Sequence, residues 1–152
     1  MKDNTVNGSP TSGYPSSCGG APADAVTPCK AGFINRSGQF AIEPRFEAAQ
    51  DFAEGLAAVE LDTRSHWGFI DTKGKLIIPA IYDEMQQFSD SLALVRLNSK
   101  YLYLDHTGKT ALRVPYEEAT SFVQGLAAVL MRPNHVGYIN HSGKVIFEYD
   151  RK

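Results

Sequence analysis

The chain has 152 residues, a formal net charge of −2, 43% hydrophobic residues and 11% aromatics. That length suits one ordinary core. The near-neutral charge leaves no basic field for phosphates, which argues against nucleic-acid binding, and no apolar run approaches the length of a membrane span.

Residues 1–30 read as a flexible leader. The stretch Asn7-Gly8-Ser9-Pro10-Thr11-Ser12-Gly13 has almost no apolar content with which to offset the entropy of ordering. It lacks the apolar segment of a signal peptide. Both cysteines fall in this leader, at Cys18 and Cys29. A disulfide between them would close a small loop and point to an extracytoplasmic location; two free thiols would fit the cytoplasm. Two cysteines alone do not make a metal site.

From residue 31 onward the chain repeats. The turn Asn35-Arg36-Ser37-Gly38 returns as Asp71-Thr72-Lys73-Gly74, Asp105-His106-Thr107-Gly108 and Asn140-His141-Ser142-Gly143. The glycines step by 36, 34 and 35 residues. Eight residues past the first three glycines sit Phe46, Tyr82 and Tyr116; fourteen past, Phe52, Phe88 and Phe122; eighteen past, Leu56, Leu92 and Leu126. A fixed period of this size marks a repeat architecture whose units cannot bury their apolar faces alone. The units run at about 31–66, 67–100, 101–135 and a partial 136–149.

Apolar alternation flanks each turn glycine, so Gly38, Gly74, Gly108 and Gly143 are expected at positive φ in β-hairpin turns. A third strand is expected at Leu56–Leu61, Leu92–Leu97 and Leu126–Met131. Its Ala57, Val59, Leu61 face is assigned to the core, and the face that admits Glu60 and Arg96 is expected to be at least partly wet. The connector from Pro79 to Phe88 is expected to hold at most one helical turn, with Pro44, Pro79 and Pro115 ending the strand before it. The expected fold is all-β: an array of short antiparallel three-stranded β-hairpin repeats in a solenoid-like stack.

The repeat resembles the WG family of largely bacterial proteins, named for a Trp-Gly pair opening the unit. The resemblance rests on Trp67-Gly68-Phe69-Ile70-Asp71 and on the pentads Gly55-Leu56-Ala57-Ala58-Val59 and Gly125-Leu126-Ala127-Ala128-Val129, and covers residues 31–149. The sequence departs from it at Ala31, Tyr101 and Val136 in place of Trp, at Leu102 in place of Gly, and at Ser91 in the second pentad. The resemblance implies a hairpin array, with no catalytic residue or cofactor to carry over.

Several residues invite a chemical reading. Asp71 and Asp105 alternate with Asn35 and Asn140, an exchange that turn capping tolerates and acid–base catalysis does not. His106 and His141 share one turn position, and His66 and His135 end the variable loop. They read either as a metal or pH-sensitive row or as duplicated surface residues. No serine lies in a nucleophile elbow. The aromatic row Phe33, Phe69, Tyr103 and Tyr138, with Trp67 and Tyr101 two residues before, is the main binding candidate. It reads either as a ladder for a polysaccharide or protein partner, or as glue between repeats. The expected function is a non-enzymatic module for protein–protein interaction or structural assembly, which either self-associates by strand addition at an incomplete end or stays monomeric with Asp150-Arg151-Lys152 capping the edge by charge. The alternative is a cell-surface glycan-binding module.

Overall fold

The computed structural model describes residues 30–62 and 64–152. Cys18 and Cys29, and with them the disulfide and the leader, lie outside the described residues. The described chain is all-β. Its strands are β1 (Ala31–Ile34), β2 (Phe40–Phe46), β3 (Ala48–Ala53), β4 (Leu56–Glu60), β5 (Trp67–Asp71), β6 (Leu76–Tyr82) and β7 (Glu84–Met85). They continue as β8 (Ala93–Leu97), β9 (Lys100–Leu104), β10 (Thr110–Val114), β11 (Glu118–Ala119), β12 (Ala127–Arg132), β13 (His135–Ile139) and β14 (Val145–Asp150).

The four expected turns form as hairpin turns with a bulge glycine. Gly38, Gly74, Gly108 and Gly143 have φ between 77° and 84°. In each, the glycine N–H donates to the carbonyl of the opening Asn or Asp, for instance Gly74 to Asp71 at 3.0 Å. The opening side chain accepts two more backbone N–H groups. Asp71 Oδ1 takes those of Lys73 and Lys75, both at 2.9 Å, and Asn140 Oδ1 those of Ser142 and Lys144, both at 3.0 Å. One oxygen does this work, so Asn and Asp serve alike.

The units are four-stranded, not three-stranded. Part of the expected connector forms a further antiparallel strand beside the third one: Ala49 pairs with Val59, Met85 with Val95 and Ala119 with Val129. No helical turn forms there. The hairpin closes through two residues at positive φ: Glu54 and Gly55, Asp90 and Ser91, Gln124 and Gly125. Such a turn matches the right-handed twist of its strands. The sheets are β3-β4-β5-β6, β7-β8-β9-β10 and β11-β12-β13-β14, preceded by the pair β1-β2. Each four-stranded sheet therefore takes one hairpin from each of two successive sequence repeats. The last hairpin, β13-β14, completes a sheet and is not a leftover half.

The sheets pack face to face. Phe33, Ile42 and Phe46 of the first pair meet Ala57, Val59 and Ile70 of the second sheet. The opposite face of that sheet, with Ala58, Phe69 and Ile78, meets Ala93, Val95 and Leu104. Leu94 and Tyr103 then meet Ala127, Val129 and Ile139. Both faces of β4 are thus buried, Ala57 and Ala58 alike, and the face expected to be partly wet is open at Glu60. Leu61 lies beyond the end of β4 and is exposed rather than in the core.

The prolines do not all end strands. Pro44 and Pro79 lie inside β2 and β6. Trp67 pairs with Tyr82 and Phe69 with Ile78, so Pro79, Ala80 and Ile81 bulge across from Gly68 alone. A bulge tolerates a residue without an N–H. The bulge runs so close that a Cβ on Gly68 would lie 2.6 Å from the Ile78 carbonyl oxygen. Where Leu102 replaces the glycine, β9 and β10 pair without a bulge through Tyr101–Tyr103. The departure at Leu102 thus has a structural counterpart.

Candidate interaction face

The aromatic row divides by its position in the stack. Phe33, Phe69 and Tyr103 are buried between sheets. There they meet Phe52, Phe88 and Phe122 at ring-centroid distances of 4.8, 5.0 and 4.7 Å. Trp67 and Tyr101 are half-buried at the margins of the same contacts. Tyr138, the fourth member, is half-buried on the outer face of the last sheet.

That outer face is the counterpart of faces that are covered in the earlier sheets. Leu56 and Leu92 are 7% and 8% exposed, whereas Leu126 is 40% exposed. Ile42 and Ile78 are buried at four residues past their turn glycines; Phe147, at the same offset, is 60% exposed. Tyr138, Phe147 and Tyr149 form a triangle of rings with centroids 6.4, 6.4 and 6.1 Å apart. Sequence reading missed Phe147 and Tyr149. The signal was present: the offset that gives Ile42, Ile78 and Leu112 also gives Phe147.

The polar groups interlock the sheets. The Tyr103 hydroxyl donates to the Thr120 carbonyl at 2.6 Å, and burial pushes its pKa upward, keeping it a neutral donor. His106 stacks on Phe88 at 4.6 Å and His141 on Phe122 at 4.4 Å, each within its own sheet, and His141 Nε2 reaches the Asp90 carbonyl of the preceding sheet at 3.2 Å. His106 also pairs with Glu54 at 3.0 Å. No cluster of three or more ligating side chains that could hold a metal occurs among the described residues. No helix there is long and apolar enough to cross a membrane. Asp105 caps its turn, and the Thr107 hydroxyl, donating to its carboxylate, holds that group below its ordinary range.

His135 fastens the last strand. Its ring bonds Asp150 Oδ1 at 2.6 Å and Glu148 Oε2 at 3.3 Å. The hydrogen bond to Asp150, then that to Glu148, raises the pKa of the imidazole above its ordinary 6.5; the same contact lowers that of Asp150 below 3.8. The pairing therefore holds fully below pH 6.5 and weakens as pH rises through the raised His135 value. On the acid side it weakens as pH falls below 3.8 through the lowered Asp150 value. We expect amide exchange of residues 145–150, corrected for its intrinsic pH dependence, to be faster at pH 9 than at pH 6. His135→Gln should erase the difference. Equal pH dependence in both proteins would mean that this pair does not hold β14.

Among solved structures the chain is similar to BamB from Moraxella catarrhalis, at 11% identity and a TM-score of 0.51 over 81% of this chain and 45% of that one. It is similar to Hsv2 from Kluyvelomyces marxianus, at 10% identity and a TM-score of 0.50 over 74% and 40%. A eukaryotic initiation factor matches at 19% identity and a TM-score of 0.52 over 79% and 37%. These neighbours are β-propeller-like, and the four-stranded antiparallel sheets stacked here are the corresponding blade unit. The chain spans less than half the length of each, and the likeness is one of fold alone. No curated protein matches the chain. The model of the WG containing repeat matches residues 32–62, 67–101 and 103–132, more than half of the chain, and the chain belongs to that family.

Proposed function

We propose that this chain is a non-enzymatic protein-interaction module. The observation that carries the reading is the outer face of β11–β14, where Leu126, Tyr138, Phe147 and Tyr149 repeat a surface that the earlier sheets cover. Exposed contiguous aromatics of this kind mark interaction sites, because Tyr and Phe bring large contact area with few rotatable bonds. The titratable groups that drew attention in the sequence support the same reading, since Asp71 and Asp105 cap turns while His106 and His141 stack on Phe88 and Phe122.

A polysaccharide fits less well. Sugar stacking needs accessible ring faces, and Phe33, Phe69 and Tyr103 are at most 2% exposed. Self-assembly is a finer form of the module reading.

A photo-crosslinking amino acid at position 147 tests the reading, with exposed Arg113 as the control position. In a lysate of the source organism, position 147 should give protein adducts that mass spectrometry identifies and that unlabelled wild-type chain competes away. Unlabelled Phe147→Glu should not compete. Adducts of equal yield at both positions, or competition by the variant, would remove the face from the reading.

A further inference from the structure

The two outer surfaces of the stack match each other, and this inference rests on the module reading above. All three junctions inside the chain share one lock. The turn glycine of each sheet sits on the aliphatic side chain four residues past the preceding turn glycine. A Cβ on Gly74 would lie 3.1 Å from Ile42 Cγ2, one on Gly108 3.1 Å from Ile78 Cγ1, and one on Gly143 2.8 Å from Leu112 Cδ1. The next position in the series is the aromatic Phe147, which is 60% exposed. Among the described residues, the one turn glycine of this series outside these junctions is Gly38, with nothing described within 4 Å of its Cβ direction.

A second latch follows the same order. The Glu54 carboxylate accepts the Ser91 N–H at 3.1 Å, and the Asp90 carboxylate accepts the Gly125 N–H at 2.6 Å. Gln124, the third member, is exposed and makes no such bond among the described residues. The head surface is open in the same way. Ile34 is half-buried, whereas its equivalents Ile70, Leu104 and Ile139 are at most 2% exposed; Phe40, which pairs with Ile34, is 43% exposed, close to the 40% of its counterpart Leu76 beside Ile70, so the opening lies at Ile34.

We propose that the chain associates head to tail with a second copy, the β1–β2 face of one seating on the β11–β14 face of the other, with Gly38 over Phe147. The occupant is argued from the lock itself. Among the described residues, every covered face of this type is covered by a sheet of the same chain, and the open space at Gly38 accommodates a side chain larger than the Ile or Leu used internally. The interface is heterologous: two different surfaces of one chain meet, so each copy keeps one free end for the next.

That asymmetry supplies the test. Sedimentation of the whole chain over a concentration series should show mass rising beyond the monomer. Phe147→Glu blocks the tail and Phe40→Glu the head. Both sites are exposed, so melting temperatures should stay near wild type, and Tyr149→Glu serves as a second tail variant if one fails to fold. Each variant alone should associate at least ~10-fold more weakly, about 1.4 kcal/mol. An equimolar mixture of Phe147→Glu and Phe40→Glu should restore a species of two chains and stop there, because only one intact junction remains. Wild type monomeric at every concentration overturns the proposal. So does a mixture that fails to recover, or association lost in Phe147→Glu but kept in Phe40→Glu, which would mean tail-to-tail contact. A monomer whose position 147 still crosslinks to another protein would overturn the head-to-tail junction and leave the interaction module standing.

Discussion

Phe69→Ala should lower unfolding stability by about 3–5 kcal/mol, the range for deleting a fully buried phenylalanine. Phe69 is 1% exposed and sits at the junction of the second and third sheets. Its ring meets Phe88 edge-on at 5.0 Å and packs in one cluster with Ala93 and Val95 across the junction. The alanines there let the sheet backbones approach, so neither sheet can close further over the hole. Of a typical total of 5–15 kcal/mol, this loss is a large share. Tyr138 holds the same strand position one end further on, but its outer side is open. Tyr138→Ala should therefore cost only about 1 kcal/mol, in keeping with partial burial. Urea midpoints of the two variants make the comparison. Equal losses would mean that this row does not hold the sheets together.

The contrast between these two tyrosine and phenylalanine positions also shows what the sequence could tell. The hairpins, the four glycine turns and the third strand were legible because they are local. An Asn or Asp three residues before a glycine fixes a turn through its own side chain, whatever the rest of the fold does. The family was legible for the same reason, through Trp67-Gly68 and the Gly55 and Gly125 pentads. The fourth strand was not. β7 and β11 are two residues each, too short to show alternation, and their hairpin turn uses Ser91 in one copy where the others have glycine. The sheet boundaries were hidden as well, because a period gives the length of a unit and not its phase. Counting from the tryptophan splits every sheet between two repeats. Leu61 fitted the alternation of β4, but the strand stops at Glu60. The candidate face needed the direction of stacking. Only when the aromatic row is known to face the following sheet does Phe147 stand out as a core position left open.

Gly68→Ala should destabilise the protein by about 3 kcal/mol, the upper part of the range for overpacking. The added Cβ would lie 2.6 Å from the Ile78 carbonyl oxygen, 2.8 Å from the Ala80 nitrogen and 2.9 Å from the Ala80 Cα. All three are backbone atoms of the β6 bulge, which is pinned on either side by the Trp67–Tyr82 and Phe69–Ile78 pairs. The bulge cannot withdraw without moving Tyr82 out of the core. Gly137 has the same place in the last sheet but no bulge across from it, since Val136, Gly137 and Tyr138 pair in regular register with Tyr149, Glu148 and Phe147. A Cβ there would meet the Met131 sulfur at 2.6 Å, and a thioether on a flexible stem can swing aside. Gly137→Ala should cost less than about 1 kcal/mol for that reason. Leu102 makes the same point within the wild-type chain, for a large side chain stands at this position where the opposite strand runs without a bulge. Thermal and urea unfolding of the two glycine variants, measured side by side, decide the matter. If Gly137→Ala cost as much as Gly68→Ala, the glycine of the Trp-Gly pair would be explained by something other than the bulge it faces.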